Sequence, residues 1–166
     1  MEHGAPAYYP CTKGEIKQLE YVQRLGSRMV PDFRHLPYNL RCHALNLYTM
    51  EYRRIRADMI FLYRLLVCRN YPDLEGLFPL ASSDRTRGHP YKLEVQRTDG
   101  LPHAYRLSRR AIGCWNSLPS SVVGSPSITT FKSSIDSHFT HIATGDVYLR
   151  DGLLQEYLCG GRLALS

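Results

Sequence analysis

Apolar residues in the first part of the chain recur three or four positions apart, at Ile16, Leu19, Val22, Leu25 and Met29. This spacing places them along one side of a helix. Thr12 can act as the N-cap, and Glu15, three residues later, completes a capping box. Pro31 cannot continue a helix, so the pattern predicts a helix over residues 12–29.

A second apolar stripe gives the clearest helical pattern of the chain, with Ile55, Met59, Leu62 and Leu66 on one face. It predicts a helix over residues 49–69, on which Arg54 and Asp58 form an i,i+4 pair on another face. We expect this helix to pack against the first one through the two stripes. A shorter helix over 37–45 lies between them, and a turn of helix over 74–78 follows.

The helical spacing of apolar residues is lost in the middle of the chain. Residues 81–89 are polar and rich in Ser, Arg and Gly, which indicates a loop. Apolar and polar residues then alternate over 91–96, a pattern typical of a short strand. Asp99 and Gly100 form a turn signal, so at most one short β-hairpin is expected here.

Two more helices are predicted in the second half. One covers residues 106–118 and is ended by Pro119, and the other begins at Ser127, which can act as its N-cap. Repeated glycines interrupt the pattern afterwards, so residues 143–166 are expected to form an irregular tail. The predicted fold is mainly α-helical, a small helical domain with at most one hairpin. Its later core is expected to contain Ile112, Trp115, Leu118, Val122 and Phe131.

The positive charge is concentrated in one window. The chain has a formal net charge of +6, and residues 85–110 alone hold seven basic and two acidic side chains. A local excess of this kind is typical of a contact with a polyanion. A basic loop without a partner would have the same composition, and charge alone leaves both interpretations open.

The candidate nucleic-acid-binding residues are six of the cations and one histidine of this window: Arg85, Arg87, His89, Lys92, Arg97, Arg109 and Arg110. Arginine suits phosphate because its planar guanidinium can bond two oxygens at once. Gly88 would let the backbone approach a ligand closely. A solvated helix face is the alternative for Arg109 and Arg110. For Trp115, core packing is favoured over base stacking.

Other chemistry has little support in the sequence. The chain has no adjacent pair of aspartates to hold the two metal ions of a polymerase or nuclease, and no Gly-rich phosphate loop. Its five cysteines are widely and irregularly spaced, which favours reduced thiols over a disulfide framework or a zinc site. No metal, cofactor or membrane span is expected. With no targeting signal, we expect an intracellular protein, in the nucleus or the cytoplasm.

Several short motifs occur in a characteristic order. They are Gly4-Ala5-Pro6-Ala7-Tyr8, Ile16, Leu19-Glu20, Val22-Gln23-Arg24, Leu47-Tyr48-Thr49-Met50-Glu51-Tyr52-Arg53-Arg54, Asp58-Met59-Ile60, Leu62-Tyr63, Thr86-Arg87-Gly88-His89, Leu93, Trp115-Asn116-Ser117-Leu118-Pro119, Val122-Val123, Pro126-Ser127, Phe131-Lys132 and Ile135-Asp136. Over residues 2–139 this set resembles the segment that follows the palm in reverse transcriptases of jockey-like, non-LTR (long interspersed) retrotransposons.

The resemblance implies a C-terminal piece of an RNA-directed DNA polymerase, without its palm and endonuclease. Residues 1–80 would then be a thumb-like helical segment, 81–142 a basic loop with a C-terminal helical segment, and 143–166 a tail. No enzymatic activity is expected of this chain alone. Its partner would be RNA or DNA, bound weakly and without sequence preference. The alternative is a small adaptor protein derived from such an element.

Overall fold

The computed structural model describes residues 13–82, 88–95 and 107–140, apart from the side chains of residues 13, 108 and 109. The α-helices are α1 (Lys13–Arg28), α2 (Tyr38–Ala44), α3 (Met50–Leu66), α4 (Leu107–Ser117), α5 (Ser120–Val123) and α6 (Ile128–His138). Short 3-10 helices cover Pro31–Phe33 and Pro72–Leu77. The described residues contain no β-strand, so the mainly α-helical prediction is confirmed. The predicted tail at 143–166 lies outside them.

Side-chain caps begin two of these helices. The Thr49 hydroxyl accepts a hydrogen bond from the Tyr52 amide at 3.2 Å, and α3 starts at the next residue. The Ser127 hydroxyl accepts one from the Thr130 amide at 3.1 Å, as predicted for α6. Each cap satisfies a backbone N–H that has no partner within its helix.

Helix α3 lies at the centre and contacts α1, α4 and α6. The two predicted apolar groups meet on it in one core, which contains Ile55, Met59, Leu62, Leu66, Ile112, Trp115, Leu118, Val122 and Phe131. Phe78 and Leu93 belong to the same core. Burial of these side chains supplies the main driving force for folding. The core therefore includes residues from both sides of the boundary placed at residue 80.

The predicted buried face of α1 was wrong for Val22 and Met29, whereas Ile16 and Leu19 of the same stripe are half-buried. Val22 is 57 % exposed and Met29 is 82 % exposed, whereas Glu20 and Ser27 are each 4 % exposed. In a helix with 3.6 residues per turn, Val22 points away from Glu20 by about half a turn. The face of α1 that meets the rest of the molecule is therefore the polar one.

Side-chain hydrogen bonds join α1 to the segments beside it. The Glu20 carboxylate accepts hydrogen bonds from the Tyr38 hydroxyl and, at 3.1 Å, from the Met50 amide. Gln23 donates to the Tyr48 carbonyl at 2.9 Å. Because these groups belong to α1, α2 and the start of α3, the network fixes the three helices relative to one another.

The strand predicted at 91–96 is replaced by a single antiparallel bridge between Leu80 and Leu93 within its described part. The backbone N–H and carbonyl of Leu93 form hydrogen bonds with a side chain. The Asn116 amide accepts from the Leu93 N–H at 2.9 Å and donates to the Leu93 carbonyl at 2.8 Å. Asn116 thus satisfies the backbone groups that a second strand would otherwise pair. The predicted turn at Asp99-Gly100 lies outside the described residues.

Candidate nucleic-acid interface

The structure describes only part of the predicted basic window. Arg85, Arg87 and Arg97 lie outside the described residues, as does the side chain of Arg109. His89, Lys92 and Arg110 can be placed. They do not form one exposed basic patch: His89 and Arg110 are buried, and Lys92 is half-buried.

Arg110 forms a buried ion pair with Asp58 that joins α4 to α3. The Nε and NH2 groups of Arg110 each donate to one carboxylate oxygen of Asp58 at 2.9 Å. Both side chains are less than 5 % exposed. Burial raises the pKa of Asp58 despite the hydrogen bonds from Arg110. The assignment of Arg110 to a phosphate contact is corrected accordingly, because its guanidinium is engaged in the interior.

His89 is also an interior residue, which corrects its assignment to the interface. Its Nε2 lies 3.0 Å from the Trp115 carbonyl oxygen, to which it donates, and its ring packs edge-on against the indole at 5.4 Å. Burial holds the pKa of His89 below its usual value. The neutral imidazole therefore helps to fix the turn that contains it, and carries no charge for a phosphate.

Gly88 serves the chain's own packing. Its φ of 132° lies in a region that side-chain-bearing residues rarely adopt. A Cβ atom at this position would lie 2.7 Å from the Lys92 Cε. The close approach expected of Gly88 is therefore one to Lys92.

A basic groove lies instead between α3 and α6. Its cationic lining residues are Arg53, Arg56 and Arg64 of α3 and Lys132 of α6. Tyr48, Phe61 and Tyr71 supply aromatic rings, and Ala57 and Ile60 an apolar surface. The cavity has a volume of about 690 Å³. We call it the α3–α6 groove.

The cations of the α3–α6 groove differ in how they are held. Arg56 donates to both oxygens of Asp136, at 2.6 Å through Nε and 2.9 Å through NH2, so its charge is largely balanced. Within the described part of the chain, Arg64 and Lys132 have no carboxylate at ion-pair distance. These two side chains are the ones best placed to meet an anion.

Asp136 holds this side of the groove in place. Burial raises its pKa, but the hydrogen bonds from Arg56 and Tyr52 outweigh that effect, and the net pKa lies below the ordinary 3.8. A group with a depressed pKa stabilises the fold above its unfolded-state pKa, and the contribution is lost as the pH falls through the folded-state value. The stabilisation is therefore present at neutral pH and disappears below about pH 3.8.

We expect Asp136→Asn to lower the free energy of unfolding at pH 7 by about 1–3 kcal/mol, because hydrogen bonds to a charged acceptor are lost. Urea unfolding followed by circular dichroism from pH 7 to pH 2.5 measures this. The difference from the parent should stay constant down to about pH 5 and shrink below pH 4. Asp73→Asn, the same chemical change at an exposed position, should stay within about 0.5 kcal/mol of the parent. A difference that does not change with pH would contradict the role given to the carboxylate.

One face of the α3–α6 groove could have been predicted from residue spacing in the sequence, although the basic window at 85–110 has a higher density of charge. Arg53, Arg56, Ile60 and Arg64 are three or four residues apart, which puts them on one face of α3. That face lies beside the apolar stripe used to predict the helix. Lys132 and Tyr71 reach the same place only through the tertiary fold, and no local pattern connects them to α3.

The described residues give no support for a metal site or a membrane span. Within residues 13–82, 88–95 and 107–140, no three His, Cys, Asp or Glu side chains are grouped as metal ligands. Over the same ranges, no helix has the length and apolarity needed to cross a bilayer. Comparison of the chain with protein-family models, with curated proteins and with solved structures gave no match.

Proposed function

We propose that this chain is a nucleic-acid-binding module without catalytic activity, equivalent to the region after the palm of a non-LTR retrotransposon reverse transcriptase. The observation that carries the proposal is the α3–α6 groove, where Arg64 and Lys132 lie beside aromatic rings. Cations with aromatic neighbours are the elements that bind a phosphate backbone and its bases. The 166 residues supply no paired aspartates for polymerase chemistry, so binding is the role proposed.

The motifs behind the resemblance take part in the same arrangement. Within the motif at residues 47–54, Thr49 caps α3, and Tyr48 and Arg53 line the groove. Lys132 and Asp136, from the last two motifs, lie on the α6 side, where Asp136 fixes Arg56. The resemblance and the groove therefore depend on several of the same residues, which supports assigning the binding role to this face.

We expect the double variant Arg64→Gln/Lys132→Gln to bind RNA and DNA roughly 10- to 30-fold more weakly than the parent at about 100 mM salt. Each phosphate contact releases condensed counterions, so two lost contacts should also reduce the slope of log affinity against log salt by about 1.4–1.8. Fluorescence anisotropy with a labelled oligonucleotide at several salt concentrations measures both quantities.

The matched control is Lys17→Gln/Arg28→Gln, which removes two exposed charges from α1. It changes the net charge equally and should leave most of the affinity and the salt slope in place. Equal losses in the two double variants would mean that overall charge, and not the groove, determines binding. The circular dichroism spectra of both variants should match that of the parent.

A second candidate, an adaptor that binds another protein, is favoured by the exposed side of α1. Tyr21, Val22, Leu25 and Met29 are between 44 % and 82 % exposed there. Neighbouring exposed apolar side chains of this kind are typical of protein contacts. A parent chain that folds but binds no nucleic acid at low salt would favour this second function.

A further inference from the structure

Two stacked aromatic rings lie in the α3–α6 groove beside its cations. The centroids of Phe61 and Tyr71 are 5.6 Å apart, and their planes are inclined by only 16°. Phe61 also packs against the buried Phe78, with the centroids 6.3 Å apart. Tyr71 is therefore held from the inside by rings that belong to the fold.

Tyr71 is nevertheless 36 % exposed. One face of its ring is covered by Phe61, so the exposed part can receive another flat group. A ring that already packs against a neighbouring ring loses less conformational entropy when it binds a ligand than a freely rotating one. Stacking of a nucleobase on such an aromatic side chain is worth about 1–3 kcal/mol.

A partly exposed aromatic ring is a better partner for a single strand than for a duplex. In a double helix the faces of the bases are covered by their neighbours, and only their edges and the phosphates can be reached. An aromatic ring can add affinity only where a base is unpaired. Ala57 and Ile60, which also line the groove, offer an apolar surface that suits a base better than a hydrated phosphate.

We propose that the α3–α6 groove binds single-stranded nucleic acid, with one base stacked on Tyr71 and the adjacent phosphates contacting Arg64 and Lys132. This inference rests on the proposed nucleic-acid-binding function and adds its ligand class. The volume of about 690 Å³ is enough for one or two nucleotides.

The parent protein provides the first test, with three fluorescein-labelled probes of about 12 nucleotides. They are oligothymidylate, an abasic strand with the same number of phosphates, and a mixed-sequence duplex. We expect oligothymidylate to bind at least fivefold more tightly than the abasic strand, because only it can stack on Tyr71. The duplex, whose bases cannot stack on Tyr71, should bind less tightly than oligothymidylate. Equal affinity for oligothymidylate and the abasic strand would overturn the inference.

Tyr71→Ala should weaken oligothymidylate binding by about 5- to 150-fold, the equivalent of 1–3 kcal/mol, without changing abasic-strand binding or the salt slope. Tyr71→Phe keeps the ring and should retain the parent's affinity. The matched control is Tyr21→Ala, at an exposed tyrosine of α1 outside the groove, and it should have no effect. If Tyr71→Ala fails to fold, the comparison of probes on the parent still decides the question.

A spectroscopic test places a second tryptophan at the stacking position. The single native tryptophan, Trp115, is fully buried, so it should be much less sensitive to the probes. In the Y71W variant, oligothymidylate should quench the new, exposed indole fluorescence, and the abasic strand should not. If neither probe quenches it while Arg64→Gln/Lys132→Gln still weakens binding, the stacking inference is wrong and the proposed function stands. If no probe binds the parent at low salt, both are wrong.

Discussion

Replacing Trp115 with alanine is expected to lower the free energy of unfolding by about 3–5 kcal/mol, the usual range for removing a large aromatic side chain from a core. The side chain has no exposed surface and lies where α4, α6 and the turn at residue 91 meet. Its ring faces Phe131 at 6.3 Å, and its N–H donates to the Tyr91 carbonyl at 2.7 Å. A small domain is stable by only about 5–15 kcal/mol, so this change would remove a large part of its stability.

Urea unfolding of the variant should be followed by circular dichroism, because the substitution removes the only tryptophan that could report by fluorescence. Trp115→Phe provides the matched control. It keeps most of the ring but leaves the Tyr91 carbonyl without its donor, and should cost about 1–3 kcal/mol. A loss below about 1 kcal/mol for Trp115→Ala would show that the indole is not part of a tightly packed core.

Burial of Trp115 could be predicted from the sequence because its neighbours on α4 and α6 repeat at helical spacing. The same rule predicted the buried face of α3. It failed for α1, where Val22 and Met29 are exposed and Glu20 is buried. Periodicity identifies a helix, but it cannot show that a carboxylate will find both a tyrosine hydroxyl and a backbone amide in other segments.

The candidate site was less predictable than the fold. The high density of basic residues predicted a binding site at residues 85–110. Charge density in the sequence, however, does not distinguish an exposed guanidinium from one that is paired in the interior. Arg110 is the clear case, since its partner Asp58 is 52 positions away in the chain. Arg64 and Lys132 come together only when α6 packs on α3, and they lie in stretches of ordinary charge.

Breaking the Asp58–Arg110 ion pair is expected to cause the second large loss of stability. Its two charges are almost fully buried, and Arg54, also buried, interacts electrostatically with the same carboxylate. Asp58→Ala would leave the Arg110 guanidinium in the interior without this carboxylate. We expect a loss of about 3–5 kcal/mol in the free energy of unfolding, as for other buried pairs broken on one side.

A double-mutant cycle separates the pair from its surroundings. Asp58→Leu alone and Arg110→Met alone should each destabilise the fold, because each leaves the other charge of the bidentate pair buried without this partner. Asp58→Leu with Arg110→Met replaces both charges by apolar groups and should cost less than the sum of the single changes, by about 1–3 kcal/mol. Urea unfolding at pH 7 measures the four proteins. Additive losses would show that the two side chains do not depend on each other for their stability in the core.

The same variants distinguish a structural arginine from a binding one. At a temperature where Arg110→Met remains folded, it should bind oligothymidylate within about twofold of the parent, although its unfolding midpoint is much lower. Arg64→Gln/Lys132→Gln should behave in the opposite way, since its half-buried surface positions contribute within about 0.5 kcal/mol to stability. A folded Arg110→Met protein with a tenfold loss of affinity would return Arg110 to the interface. It would also mean that the ion pair with Asp58 opens when nucleic acid binds.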